Sequence, residues 1–361
     1  MPLAGSTKHL NAGTHGMQRM IEWAEQGRLP DTLVRAGIRR LLAERLRESG
    51  APAEEAMERR YALIEAMRAA PVALSTEVAN EQHYEVPTEY FERCLGPWLK
   101  YSCAWWPEGV DDLRGAEAAM LQLTCERAGL ENGQQVLELG CGWGSLSLWM
   151  AEQYPKSRIV SVSNSATQRA SIEARRDARG LENLTIVTAD MNTFAPDQTG
   201  FDRVVSVEMF EHMRNWPELL RRVATWLRPG GQLFMHVFAH REFAYFFESE
   251  GEHDWMGQYF FRDGLMPSDD LARHFQEDLR VMRQWRVNGH HYARTLNAWL
   301  ARQDAARDEL MPLFEQTYGA QDAALWFQRW RMFYMACAEL FDYRGGNEWF
   351  VSHILFRRPE A

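Results

Sequence analysis

The chain has 361 residues, of which 46% are hydrophobic and 25% charged, and its formal net charge at pH 7 is -10. This length and composition suit one large globular domain with additions, or two domains. The acidic balance argues against nucleic acid or an anionic membrane as partner, because both attract clustered lysine and arginine. It is compatible with a small cationic molecule.

Cysteine usage and hydropathy indicate the compartment. The five cysteines are odd in number and lack a C-x-x-C spacing, which favours reduced thiols and no structural zinc or other metal. The first residues show no basic stretch followed by an apolar run, and no segment approaches the roughly 18 apolar residues of a membrane span. We therefore expect a cytoplasmic protein without stable membrane insertion.

The first part of the chain is predicted to be helical. Residues 1 to about 15 show no clear pattern, whereas Pro30-Asp31 opens a run at 33–42 with apolar residues three and four apart. A second helix is predicted over 53–69. We assign residues 1–78 to an N-terminal helical segment that packs on the rest of the chain or forms the contact of a homodimer.

A segment of different character follows at residues 79–130. Aromatic, hydroxyl and thiol side chains mix without periodicity at 83–87 and 100–106, before a predicted helix at 114–128. Such a composition is typical of a segment that folds over a ligand. We assign residues 79–130 to a segment that covers the cofactor.

Strands and helices then alternate through residues 131–240, the predicted core. This alternation predicts an α/β fold, with a parallel sheet that has helices on both faces. The predicted strands are 135–139, 158–162, 184–187, 201–207 and 232–238, and the predicted helices are 146–154, 166–179 and 216–227.

Residues 241–361 are assigned to a helical cap with the last two strands of the sheet. They begin with aromatic loops and continue into two long helices, 292–318 and 320–340. The strand predicted at 280–287 is expected to pair antiparallel with the last one, 349–356.

The spacing Gly140-x-Gly142-x-Gly144 directly follows the first predicted strand, and Glu138 precedes it. Such glycines let the backbone approach a ligand closely and leave helix N–H groups free to face it. This spacing differs from the G-x-G-x-x-G of dinucleotide enzymes and is that used for S-adenosylmethionine, whose amino-acid end the loop cradles.

The ends of the next two strands complete the predicted cofactor site. Many such enzymes place an acid after the second strand to hold ribose hydroxyls, but this chain has Ser163, Asn164 and Gln168 to share that hydrogen bonding. After the third strand, Asp190 can accept from the adenine amino group and Met191 can pack on the ring.

The segment after the fourth strand carries the predicted chemistry. If it is helical, Glu208, Glu211 and His212 share one face. Two carboxylates would attract the ammonium form of an amine and stabilise the charged product, and His212 would take the proton. The sequence thus predicts methyl transfer to an amine.

Six short segments carry a further signal when they are taken together. They are Ala79-Asn80-Glu81-Gln82-His83-Tyr84, Lys100-Tyr101-Ser102-Cys103, residues 207–213, Asp254-Trp255-Met256, Met266-Pro267-Ser268 and Val287-Asn288-Gly289. With them the chain resembles the plant coclaurine N-methyltransferase family, relatives of the cyclopropane fatty acid synthases. The resemblance runs from about Ala79 to Phe356 and implies a Rossmann-like class I methyltransferase fold.

The resemblance also implies site residues. Glu208, Glu211 and His212 match the family's residues for amine binding and catalysis. The residues assigned to S-adenosylmethionine are Tyr84, Tyr101, Ser102, Gly140, Gly142, Ser163, Asn164, Gln168, Asp190 and Met191. The residues assigned to the substrate pocket are Cys103, His236, Trp255, Phe260, Phe261, Tyr292, Trp330, Phe333 and Tyr334, whose aromatic rings could add cation–π contacts to a hydrophobic or aromatic amine.

Two alternatives remain open from the sequence. Cyclopropane synthases hold a bicarbonate ion as base with residues matching Cys103, Glu211, His236 and Tyr292, so a lipid acyl chain is a competing substrate. Those enzymes have a small residue in place of Glu208. A carboxylate at this position is costly beside a lipid alkene and suits a cation, so Glu208 favours an amine as the substrate. The second alternative is a non-catalytic module that binds S-adenosylmethionine and a partner.

Overall fold

The computed structural model describes residues 8–74, 87–247 and 255–360. Three N-terminal helices come first: α1 (Lys8–Glu25), α2 (Asp31–Ser49) and α3 (Ala53–Ala69). The last two begin directly after Pro30 and Pro52, because a fixed φ suits the start of a helix. The start after Pro30 was predicted from the sequence. Although the sequence shows no clear pattern before about residue 15, α1 already begins at Lys8.

The core is a seven-stranded sheet in the order β3-β2-β1-β4-β5-β9-β8. Its first five strands are parallel, and β9 pairs antiparallel with both β5 and β8. These strands are β1 (Gln135–Leu139), β2 (Arg158–Ser163), β3 (Leu184–Thr188), β4 (Phe201–Val207), β5 (Leu227–His240), β8 (Arg280–Val287) and β9 (Trp349–Arg357). The predicted α/β class and the pairing of the last strand are therefore confirmed.

Helices cover both faces of this sheet. Those of the first half are α4 (Thr88–Cys94), α5 (Leu113–Ala128), α6 (Ser145–Gln153), α7 (Ala166–Ala178) and α8 (Trp216–Trp226). Asp112, Ser165 and Asn215 cap α5, α7 and α8 by accepting a hydrogen bond from a backbone N–H in the first turn, which is why these helices begin where they do. The parallel crossovers place the carboxyl ends of β1–β4 at one edge.

The C-terminal part adds a short ribbon of β6 (Tyr245–Phe246) and β7 (Leu265–Met266), with α9 (Trp255–Tyr259) between them. Helices α10 (Gly289–Ala305), α11 (Arg307–Tyr318) and α12 (Ala323–Gly346) follow. The single helix predicted at 292–318 is thus two helices. Asp308 and Glu309 lie in the first turn of α11, where the helix dipole favours acidic residues and supports a new N-terminus.

The N-terminal helices are fastened to this cap by ion pairs. Glu339 on α12 accepts hydrogen bonds from Arg35 at 2.9 Å and from Arg39 at 2.7 Å, and Arg331 bridges Asp31 at 2.7 Å and Asp304 at 2.6 Å. Within the three described ranges, none of the helices has the combined length and hydrophobicity that crossing a bilayer requires. The division into four segments and the homodimer contact stay predictions.

Candidate active site

A cavity of about 270 Å³ lies at the carboxyl ends of the parallel strands. Its floor comes from the loops after β1, β2 and β4, and α10 and α12 form its far wall. Ligands of open α/β sheets bind at this edge, because the loops that leave adjacent strands diverge there. The predicted cofactor and reaction segments therefore meet in one cavity.

The glycine loop after β1 needs glycine for conformation and for space. Gly140 has φ +77°, and a Cβ there would lie 2.5 Å from Cγ of Met209. Gly144 has φ +76° and caps α6, and a Cβ there would lie 2.6 Å from a carbon of Ile172. Residues with a side chain rarely adopt such a positive φ, and Met209 and Ile172 leave no room for a Cβ at these positions. The loop can therefore approach a ligand at backbone distance.

Glu138 supports the same loop from inside the sheet. Its carboxylate accepts hydrogen bonds from Ser147 at 2.5 Å and from Ser161 at 2.7 Å. Burial raises the pKa of Glu138 to about 7, against the lowering effect of the two hydroxyls. The side chain lines the cavity and ties β1, β2 and α6 together.

Eight of the ten residues assigned to the cofactor line the cavity: Tyr101, Ser102, Gly140, Gly142, Ser163, Asn164, Gln168 and Met191. Tyr84 lies outside the described residues. Asp190 is absent from the lining. Its Oδ1 accepts from the backbone N–H of Asn192 at 2.7 Å, which turns the chain after β3 and brings Met191 to the wall. Asp190 was expected to contact the adenine directly, but it does not line this cavity.

Gln168 carries an independent sign of a polar ligand. Its Oε1 accepts from the Ser163 hydroxyl at 2.7 Å, and its Nε2 is buried without a hydrogen-bond partner among the described residues. A buried amide donor in a cavity wall is costly unless a ligand or water accepts from it. The hydroxyl and carboxylate oxygens of S-adenosylmethionine are suitable acceptors, so this wall fits the cofactor.

Glu208 lies at the centre of the reaction segment. Its backbone N–H donates to the carbonyl of His236 at 2.8 Å, and the chain then turns with a φ of +48° at Glu208 itself. This left-handed conformation is unusual for a residue with a side chain and costs on the order of 1 to 3 kcal/mol. It directs the carboxylate back across the end of the sheet toward Tyr292.

Three donors converge on that carboxylate. The backbone N–H of Cys103 at 2.9 Å and Nε2 of His236 at 3.1 Å reach Oε1, and the Tyr292 hydroxyl at 2.6 Å reaches Oε2. Burial raises the pKa of Glu208 above its usual range, while Lys100, the hydrogen bonds from Cys103 and Tyr292, and His212 oppose that shift. Three donors and a cation favour an ionised carboxylate in a site that otherwise disfavours charge.

Lys100 is a buried charged residue of the cavity that the sequence analysis did not assign to the site. It lines the cavity, and its ammonium donates to Oγ of Ser102 at 2.5 Å and to the carbonyl of Cys103 at 2.7 Å. Burial lowers its pKa, and the nearby Glu208 opposes that shift. The only available signal was its place beside Tyr101 and Ser102, both of which were assigned to the cofactor.

The expected shared helical face of Glu208, Glu211 and His212 is wrong. Only Phe210–His212 is helical, as one 3-10 turn, because the positive φ at Glu208 separates it from that turn. Glu211 is fully buried, does not line the cavity, and accepts from the N–H of Phe238 at 2.7 Å. Burial and repulsion from Glu208 hold the pKa of Glu211 well above its usual range.

His212 does reach the cavity. Its ring lies 4.7 Å from the ring of Phe261, centroid to centroid, in the cavity wall. Burial lowers the pKa of His212 to about 4, although Glu208 opposes the shift. The imidazole is therefore neutral at neutral pH.

Only some of the aromatic residues assigned to the substrate pocket line the cavity. Phe261, Tyr292 and Phe333 do. Phe260 stacks on Phe333 at 4.6 Å from behind. Contrary to expectation, Trp255, Phe260, Trp330 and Tyr334 do not line the cavity. Phe260, Trp330 and Tyr334 are buried in the core behind its wall, and the half-buried Trp255 packs against that core. Cys103 and His236 also lie outside the lining, hydrogen-bonded to Glu208.

Hydrophobic spacing cannot separate wall from core on a helix as buried as α12, which explains this error. Further apolar residues that sequence reasoning missed complete the wall. They are Ala73, Leu74, Met209, Met213, Phe238, Phe247, Met256, Met266, Leu296, Trp299, Cys337, Leu340 and Phe341.

Comparison with known proteins identifies the family. The family described as mycolic acid cyclopropane synthetase matches residues 74–348. The (S)-coclaurine N-methyltransferase of Thalictrum flavum subsp. glaucum is 36% identical over 344 residues, which are 94% of this chain and 95% of that protein. The chain belongs to the coclaurine N-methyltransferase-like family. It is an S-adenosylmethionine-dependent methyltransferase of the N-methyltransferase class.

Solved structures agree with this assignment. A coclaurine N-methyltransferase bound to N-methylheliamine and SAH is 36% identical, with a TM-score of 0.90 over 94% of this chain and 99% of that one. The cyclopropane synthase MmaA2 of Mycobacterium tuberculosis, 21% identical over 79% of this chain and 99% of its own, has a TM-score of 0.66 and shares the fold. SAH is the product form of S-adenosylmethionine, which is the cofactor of this methyltransferase.

The relationship to lipid-modifying enzymes is also visible in sequence. The cyclopropane-fatty-acyl-phospholipid synthase of Escherichia coli strain K12 is 33% identical over 277 residues, which are 76% of this chain and 67% of that protein. Both branches of the superfamily are therefore represented among the relatives of this chain, and the choice of substrate class depends on the site itself.

Proposed function

We propose that this methyltransferase transfers a methyl group to the nitrogen of a hydrophobic aromatic, alkaloid-like amine. Glu208 binds the amine and His212 takes its proton. The bound S-adenosylmethionine supplies an electrophilic methyl group on a sulfonium. The Gly140 loop, Ser163, Asn164 and Gln168 would hold it at the carboxyl ends of β1 and β2.

One observation carries the choice of an amine over a lipid alkene. Cys103, His236 and Tyr292, three of the four residues that the resemblance assigns to bicarbonate in the cyclopropane synthases, all donate to the Glu208 carboxylate. A protein carboxylate already satisfies these donors, which leaves none of them for a bicarbonate ion. A fixed negative charge at this place favours a cationic substrate and disfavours an alkene.

The other walls suit the rest of such a substrate. Phe261 and Phe333 present aromatic surface, and Tyr292 lies between the carboxylate and the stacked ring of Phe341 at 4.3 Å. An aromatic amine gains cation–π contacts at its nitrogen and apolar burial elsewhere. Among the relatives, the coclaurine and pavine N-methyltransferases of Thalictrum flavum subsp. glaucum are named for substrates of this kind.

The two acids divide their roles. Burial and repulsion from Glu208 hold the pKa of Glu211 well above its usual range, which favours its neutral form, so we assign the negative charge of the site to Glu208. We infer that Glu211 supports the wall by holding the N–H of Phe238. The neutral imidazole of His212 lines the same cavity and can accept the proton that the amine loses before attack.

A labelled-methyl assay tests the proposal. Purified enzyme is supplied with radiolabelled S-adenosylmethionine and, in parallel, with primary, secondary and tertiary aromatic amines and with unsaturated phospholipid vesicles. We expect transfer to amines only. Transfer to the phospholipid would support the lipid alternative, and cofactor binding by calorimetry without transfer to any acceptor would support the non-catalytic one.

A further inference from the structure

A line of hydrogen bonds leads from the cavity through the sheet to the outer helix α5. Nε2 of His236 lies 3.1 Å from Oε1 of Glu208, and Nδ1 of His236 lies 2.9 Å from Nε2 of His353. Nδ1 of His353 lies 2.7 Å from Nη1 of Arg127. Four side chains, from the turn after β4, from β5, from β9 and from α5, are thus joined end to end.

The sheet register builds this line. His236 on β5 and His353 on β9 are direct cross-strand partners, and Trp285 on β8 is the next partner of His353. Both histidines are fully buried. The guanidinium of Arg127 lies over the ring of Trp285 at 5.1 Å, which holds it against His353. Of the four residues in the line, His236, His353 and Arg127 lie outside the lining of the cavity.

The chemistry of arginine gives the line a direction. A guanidinium has only donors and keeps its charge, so Nδ1 of His353 must accept. Burial and the charges of Lys100 and Arg127 hold the pKa of both histidines well below the usual range, so each ring is neutral and carries one proton. His353 then bears its proton on Nε2 and donates to His236. His236 in turn donates from Nε2 to Glu208.

We propose that Arg127, His353 and His236 are positioning residues that form a hydrogen-bond chain of fixed polarity and present Glu208 to the substrate as an ionised acceptor. The role rests on the proposed function, in which Glu208 binds the amine. The chain starts at a group that cannot release its proton. It therefore cannot serve as a route for the proton of the amine, which leaves from the His212 side of the cavity.

The polarity is measurable without substrate. Nitrogen-15 NMR of histidine-labelled enzyme distinguishes the two neutral tautomers and the imidazolium, and loss of a resonance in the His236→Gln and His353→Gln variants assigns the two rings. We expect both rings as neutral Nε2–H tautomers at pH 7.5. An Nδ1–H tautomer or an imidazolium at either position would overturn the proposal, whether or not any amine proves to be a substrate.

Matched variants at Arg127 test whether the polarity of the hydrogen-bond chain affects activity. Arg127→Lys keeps a positive, donor-only group, whereas Arg127→Met removes the donor and keeps an apolar stem over Trp285. We expect kcat/KM for the amine within about threefold of wild type for the lysine variant. A loss of about 10-fold to 100-fold is expected for the methionine variant, the range for partners that fix a functional imidazole.

The His353→Phe variant distinguishes the role of the hydrogen-bond chain from a direct electrostatic effect of Arg127. It breaks the chain and leaves the guanidinium in the protein. We expect a loss like that of Arg127→Met, with the affinity for S-adenosylmethionine unchanged. Equal activity of the methionine and lysine variants, or full activity of His353→Phe, would show that the chain has no such role. If Arg127→Met does not fold, the tautomers in the wild type still decide.

Discussion

Replacing Glu208 by glutamine isolates the effect of its charge, because the surrounding hydrogen bonds can survive the change. The glutamine carbonyl oxygen can accept from the N–H of Cys103 and from Nε2 of His236, as Oε1 does now. The amide nitrogen then faces the Tyr292 hydroxyl, which can rotate from donor to acceptor. Fold and cofactor affinity should therefore be retained, and only the negative charge is lost.

The expected loss follows from the burial of this charge. The Glu208 side chain is 11% exposed, and losing one partner of a buried charge pair costs about 2 to 5 kcal/mol. Taking the middle of that range, at about 1.4 kcal/mol per tenfold, kcat/KM for the amine should fall about 100-fold to 1,000-fold. The assay is initial-rate methyl transfer, with thermal unfolding and calorimetric cofactor binding measured on the same preparations.

Glu211→Gln is the matched control. Glu211 is buried three residues further along the chain, and its raised pKa favours the neutral form, so an amide there keeps the acceptor for Phe238 and changes the charge little. We expect kcat/KM within about threefold of wild type. The reasoning fails if Glu208→Gln retains activity within that same margin. It also fails if Glu211→Gln is as damaging as Glu208→Gln, since both acids would then bind the amine.

Further variants test the cofactor loop, the base and the wall. His212→Gln should lower kcat by about 100-fold at every pH from 6 to 9 without moving the profile, because the ring, with its pKa of about 4, is already neutral there; a shifted profile would contradict this. Gly140→Ala should weaken cofactor binding in calorimetry and destabilise the protein by ~1 to 3 kcal/mol. Adding Met209→Ala should restore only part of the lost stability, because the positive φ at residue 140 remains. Trp330→Ala should lower the free energy of unfolding by ~3 to 5 kcal/mol in urea titrations, whereas Phe333→Ala should chiefly raise KM. A raised KM with little loss of stability in Trp330→Ala would instead place Trp330 in the wall.

The α/β core could be predicted from sequence because its signals are local. The strands predicted at 135–139, 201–207 and 280–287 match Gln135–Leu139, Phe201–Val207 and Arg280–Val287 residue for residue. Short apolar runs bounded by glycine, proline and helix caps leave few other conformations. Helix ends without such signals were less well placed, as the break between α10 and α11 shows.

The site was predicted in kind but not in geometry. The glycine loop and the residues assigned at the ends of β2 and β3, apart from Asp190, line one cavity, because parallel strands bring their carboxyl ends together. The relation of Glu208 to Glu211 was wrong, since helical spacing does not anticipate a left-handed turn at a glutamate. Lys100 was missed because a single lysine in an irregular segment carries no pattern.

The sequence by itself determined the fold class, the cofactor and the family, since these depend on motifs whose meaning is local: three spaced glycines, a strand before them and an acid–acid–histidine run. Only the tertiary structure distinguished the two acids. Burial and the donors that reach each carboxylate set that difference, and those donors come from the segment at residues 100–103, from β5 and from α10, far away along the chain. The same packing joined Glu208 to Arg127 through β5 and β9, a relation that no spacing of residues in the sequence expresses.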